Sequence, residues 1–232
     1  MRQVILIGLN YARMQWLTVL VMTVYLVGIA GVFSLNQQSQ EVLFFVRSQP
    51  LYVVFVGLML AIPAIQTDRK SRRLLAVLSK GIHRWQYLGG LLCGCAMITA
   101  AFSFLIWAAA CILFVRGGHP TAGLGLLAGA LFACCVTAAS AGLLYSTFLH
   151  PLLATGAAAA TLLLPYTPDG IRFNLLKPFF PVAWLLDIIV HYQLGGAAGL
   201  WRIIAAALAL TVIFSIVGAA IFSRRDVTTS PE

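Results

Sequence analysis

Asp187 and His191 stand four residues apart in the run FPVAWLLDIIVHYQLGG. On a helix that spacing places a carboxylate and an imidazole on one face, close enough to share a proton. An acid within an apolar stretch is a functional hypothesis by default. With His119, the pair would make an intramembrane enzyme acting on lipid or peptide, if the three converged on a pocket. The simpler account is a polar contact between Asp187 and His191 near the outer interface. Other catalytic vocabulary is missing. There is no GxxxxGK[ST] loop for ATP, no GxSxG elbow and no HExxH. The four histidines, His83, His119, His150 and His191, fall at loops or at the ends of apolar runs. Cys93, Cys95, Cys111, Cys134 and Cys135 all lie inside such runs without a histidine cluster, which points to small buried hydrophobes rather than metal or disulfide. No catalytic, cofactor-binding or metal-ligating residue is assigned.

The other concentration of functional groups is basic. Asp68 to Gly90 reads DRKSRRLLAVLSKGIHRWQYLGG and holds six of the fifteen Lys and Arg residues. If residues 69–80 are helical, Arg69, Lys70, Arg72, Arg73 and Lys80 share one broad face, and Leu74, Leu75 and Leu78 share the other. That is an amphipathic helix for a membrane surface or a partner. Gly81 is its natural stop. Trp85 and Tyr87 follow where an interfacial aromatic belt belongs.

The elements that must position these residues are written in hydrocarbon. The chain is 61% apolar and 9% charged, with a mean hydropathy of +0.97. A soluble domain carries about 25% charged residues. Too few are present here to cover a soluble surface. Several apolar runs exceed the ~18 residues that mark a membrane helix. The expected class is an all-α polytopic membrane protein with one transmembrane domain over residues 1–232. Its net charge of +9 is a topology and anionic-lipid signal, not a nucleic-acid one.

Six spans are expected, at about 14–35, 51–67, 87–115, 121–147, 152–166 and 200–222. Residues 1–13 read as an interfacial helix or as an extension of the first span, and no cleavage site suggests its removal. The polar run NQQSQE, then Arg47 and Pro50, reads as a loop between the first two spans. Pro63 should kink the second or break its hydrogen-bond ladder. Gly125 and Gly129 form a GxxxG pair suited to close helix packing. The fifth span is short for a full crossing. Residues 167–198, with Pro168, Pro178 and Pro181, read as two short helices dipping into the outer leaflet under protein cover.

Charge sets the orientation. Arg2, Arg13, Arg69, Lys70, Arg72, Arg73, Lys80, Arg84, Arg224 and Arg225 lie on one side of this layout. Arg47, Arg116, Arg172, Lys177 and Arg202 lie on the other. The richer side should be cytoplasmic, with both termini on it. The spans carry almost no charge, which disfavours a proton or cation relay. Cargo should be apolar, amphipathic or handled at an outer vestibule.

This layout resembles the permease subunit of an ABC exporter of the ABC-2 type, also called the type V fold. RRLLAVLSKGIHRWQYLGGLLCG is similar to that family's cytoplasmic stretch, and IFSRRD resembles its common ending. Family members often carry a Glu early in the segment, where this chain has Asp68. The resemblance implies a bacterial inner-membrane subunit with a coupling helix in segment 68–84 and a broken outer hairpin between spans five and six. It implies no enzymatic activity in this chain. ATP and Mg would be bound by a separate P-loop ATPase subunit, and a second permease copy or paralogue would complete the dimer. Asp68, Arg69, Arg72, Arg73, Leu74, Leu75 and Leu78 would carry the coupling, the leucines seating the helix and the arginines meeting the partner or lipid headgroups. Membrane lipid is the remaining partner, and nucleic acid is not expected. A non-transporting scaffold of a larger complex is the alternative outside both classes.

Overall fold

A computed structural model describes residues 2–35, 39–70, 82–116, 121, 123–163, 179–190 and 197–224. All regular structure among them is helical. The helices are α1 (Arg2–Met14), α2 (Trp16–Leu35), α3 (Ser39–Lys70), α4 (Arg84–Arg116), α5 (Leu124–Ser146), α6 (Pro151–Leu163), α7 (Pro181–Val190) and α8 (Ala197–Arg224).

The bundle is built around α5, which packs on α3, α4, α6, α7 and α8. Ala130, Ala133, Ala138, Ala139 and Ala141 are almost wholly buried in it. Small side chains let neighbouring backbones close in, and in lipid that packing replaces the hydrophobic drive. Gly123 opens the helix at φ 94°, a left-handed conformation that glycine adopts without a Cβ clash.

By length and composition, three helices among the described residues can cross a membrane: Arg84–Arg116, Leu124–Ser146 and Gly199–Arg224. A fourth crossing results if the bent pair Gln3–Met14 and Trp16–Gly28, at 58° to each other, is one span. The expected count of six is therefore not reached by these criteria. The second expected span is the apolar part, Val54–Asp68, of a 32-residue helix. The fifth is the 13-residue α6, about 20 Å long against a hydrocarbon core of about 30 Å.

The expected loop before the second span is helical from Ser39 onward, and residues 36–38 lie outside the described residues. Helix α3 begins at Ser39 and runs unbroken through Pro50 and Pro63. An interior proline removes one backbone hydrogen bond and costs about 3 kcal/mol. Burial of Val54, Val56, Leu58, Ala61 and Ile65 offsets that cost. The first expected span also differs at its start. The chain bends at Gln15, whose N–H donates to the carbonyls of Tyr11 and Ala12.

Helix α1 is more than an interfacial rod. Ile5, Leu6 and Leu9 are exposed, but Gly8 and Tyr11 are buried against the bundle, and the helix packs on α4. The Tyr11 hydroxyl donates to the Leu60 carbonyl. A Cβ added to Gly94 would stand 2.8 Å from the Gly8 carbonyl oxygen, and one on Gly90 would stand 2.7 Å from Ile7 Cβ. Only glycine allows that approach.

Of the expected outer hairpin, the described part is residues 179–190 and the start of α8. Helix α7 has ten residues, too few to span. It lies under protein cover, with Val182, Ala183, Leu185, Leu186 and Ile189 buried against α3, α5, α6 and α8.

Candidate functional site

The two helices that flank the basic segment place its ends in one polar junction. Asp68 and Arg69 belong to the last turn of α3, and Arg84 opens α4. Arg72, Arg73, Leu74, Leu75 and Leu78 lie outside the described residues. The 68–84 segment thus starts and ends inside helices, and its described loop is limited to Ile82 and His83.

Asp68 turns towards the bundle. The Tyr87 hydroxyl donates to its Oδ2 at 2.7 Å. Tyr87 is only 1% exposed, so its hydroxyl needs a partner. An unpaired buried hydroxyl costs about 1–3 kcal/mol. A carboxylate is the stronger kind of acceptor. The Tyr87 ring stacks on Phe222 of α8, with centroids 6.2 Å apart, and Phe222 is fully buried.

Arg84 ties the same helix ends from the polar side. Its Nη1 donates to the carbonyls of Phe222 and Ser223, each at 3.1 Å. The last carbonyls of a helix have no partner within it. A guanidinium supplies donors and a positive charge at the negative end of the helix dipole. The start of α4 is closed locally, where the His83 N–H donates to Gln86 Oε1 at 3.2 Å. That is the returning half of a capping box.

Asp68, Tyr87, Arg84 and Phe222 thus join α3, α4 and α8 at one end of the bundle. The group can carry displacement: movement of either end of the basic segment acts on three helices through short bonds and a ring contact. Phe222 was not singled out by sequence, and Tyr87 was not singled out as part of a polar junction. Tyr87 reads there as an interfacial aromatic beside Trp85, yet Trp85 is 58% exposed and Tyr87 is buried. The available signal was Asp68, the one acid of a basic stretch at the end of an apolar run, which needs a donor close by.

Of the residues in the enzyme reading, only Asp187 is among the described residues. It is half-buried on α7, while His119 and His191 lie outside them. No group of three His, Cys, Asp or Glu suited to a metal occurs among the described residues. Gly125 and Gly129 sit in ordinary van der Waals surroundings. A Cβ on Gly125 would meet Trp107 Nε1 at 3.9 Å, and one on Gly129 would meet Ile204 Cδ1 at 3.6 Å. The close contacts are at Gly8, Gly90 and Gly94, and at Gly57, where an added Cβ would lie 2.7 Å from the Cys135 carbonyl oxygen. Gly90 and Gly94 carry the same GxxxG spacing.

No protein-family model matches the chain, and no curated protein matches it.

Proposed function

We propose that the chain is the membrane-spanning subunit of an ATP-binding-cassette exporter in a bacterial inner membrane. In this reading all six apolar segments cross or nearly cross the bilayer, with α3 and α6 completing their passage under cover of their neighbours. Both termini and the basic segment face the cytoplasm. A separate P-loop ATPase, loaded with ATP and Mg, presses on residues 68–84, and a second permease copy or paralogue completes the pathway. The cargo is apolar or amphipathic.

The observation that carries this reading is the junction of Asp68, Tyr87, Arg84 and Phe222. A segment meant to receive force needs stiff attachments. Here its last α3 residues and its first α4 residues are bonded or stacked into α3, α4 and α8.

The test is affinity purification of the full chain in mild detergent. A P-loop ATPase should co-purify with the wild type and be lost from Leu74→Asp plus Leu78→Asp. Tyr87→Phe should keep the ATPase bound but lower cargo export per ATP hydrolysed. Recovery of no ATPase, with normal export after the double change, would remove the proposal.

A further inference from the structure

A cleft of about 370 Å³ lies between α4, α5 and α8. Leu88 and Leu92 of α4, Leu144 of α5, and Phe214 and Gly218 of α8 form its walls, and Trp85 stands at one end. From Trp85 to Leu92 is about 10 Å along the helix. The cleft therefore begins at the end of the bundle that holds the polar junction and extends inward from there between the three helices.

Its chemistry is that of an alkyl slot. Gly89 and Gly218 leave the volume open: a Cβ on Gly89 would meet only Val4 Cγ1, at 3.8 Å, and one on Gly218 would meet Leu144 at 3.6 Å. Two serines reach the lining, but both hydroxyls are turned into their own helices. Ser140 donates to the Thr137 carbonyl at 2.8 Å and Ser215 to the Thr211 carbonyl at 2.6 Å. Water needs two to four polar partners to settle in such a space. A lipid chain needs none.

The end of the slot is basic. Arg84 precedes Trp85 in the chain, and Arg224 follows Ser223, whose carbonyl accepts from Arg84. Arg224 is exposed. The acid at this end, Asp68, is turned to Tyr87 on the α3 side. Exposed tryptophan beside arginine at a helix end is the pattern of a headgroup-level anchor.

We propose that this cleft binds one acyl chain of an anionic glycerophospholipid, with the phosphate headgroup held at the helix ends by Arg224 beside Trp85. The site requires only that the chain be embedded in a bilayer. It is independent of any ATPase, so it can fail or succeed apart from the export reading.

The experiment is native mass spectrometry of the delipidated full chain, titrated with palmitoyl-oleoyl phosphatidylglycerol or palmitoyl-oleoyl phosphatidylcholine. One phosphatidylglycerol should bind first, at a concentration about fivefold below that for phosphatidylcholine. Gly218→Leu, which fills the slot, should abolish the first-bound lipid of either kind. Arg224→Gln should keep the bound lipid but bring the two titrations together. If Gly218→Leu loses its helical circular dichroism, Ser215→Leu replaces it as the slot-filling variant. Equal affinity for the two lipids in the wild type would overturn the site. So would lipid binding unchanged in the slot-filling variant, or a phosphatidylglycerol preference unchanged in Arg224→Gln.

Discussion

Helices α5 and α8 are both long and apolar enough to cross a bilayer, yet they occupy opposite situations. In its most apolar window α5 is 72% buried within the bundle, while α8 is 22% buried. The difference is side-chain size. Residues 129–142 of α5 read GALFACCVTAASAG, mostly alanine, glycine, cysteine, serine and threonine. Leu208, Val212, Ile213 and Ile216 of α8 form a bulky stripe that stays exposed. Lipid tails are as apolar as leucine, so burying a large aliphatic side chain gains little in a bilayer. Close backbone approach gains dispersion and lets polar groups meet. Hydropathy thus reports what a membrane accepts, and side-chain volume reports which helix becomes the hub.

The contrast can be broken most severely at Gly57. An added Cβ there would lie 2.7 Å from the Cys135 oxygen and 3.1 Å from Ala138 Cβ on α5. Gly57→Leu should cost about 3 kcal/mol or more, seen as loss of the monodisperse peak in size-exclusion chromatography. Its normal recovery would deny α5 its central place. Next comes a matched pair. Ala139→Leu, at a fully buried site in α5, should cost about 2 kcal/mol, whereas Ala205→Leu, on the exposed side of α8, should stay within about 0.5 kcal/mol. Thermal unfolding in detergent compares them, and equal shifts would contradict the size argument.

A smaller effect is expected where the two helices meet through polar groups. Thr137 Oγ1 lies 2.9 Å from the Ala207 carbonyl and 3.0 Å from Thr211 Oγ1. Its one proton serves a single acceptor at a time, and Thr211 also has the Ala207 carbonyl in reach. Thr137→Val should therefore cost only about 0.6 kcal/mol, with a shift of several kcal/mol pointing to a larger network. The least effect belongs to Gly129→Ala, whose new methyl would meet Ile204 Cδ1 at 3.6 Å. Stability should change by less than about 0.5 kcal/mol. A large loss there would restore the Gly125–Gly129 pair as the important glycine contact.

Particular residues show what could be read in advance. The apolar runs placed α4, α5 and α8 within a few residues of their ends, because an unbroken hydrocarbon run needs no tertiary information to favour a helix in lipid. Of the region read as two short helices, the described part holds the ten-residue α7. Pro50 misled, since local rules weigh only the lost hydrogen bond and not the buried face that offsets it. The glycines misled for a related reason. GxxxG spacing occurs at Gly125 and at Gly90, and nothing local says which one meets a backbone. Asp68 was visible as an unusual acid, but its donor, Tyr87, depends on how the start of α4 rests against α3.

By itself, the sequence determined that this is a helical chain for an apolar solvent. Composition and run length suffice for that, because solvent transfer acts on each segment separately. Tertiary structure alone decided that α5 is the hub, that Tyr87 points inward while Trp85 points outward, and that Arg84 closes the end of α8. Those outcomes depend on which surfaces approach closely enough to exclude lipid, and that distance belongs to pairs of helices rather than to any one of them.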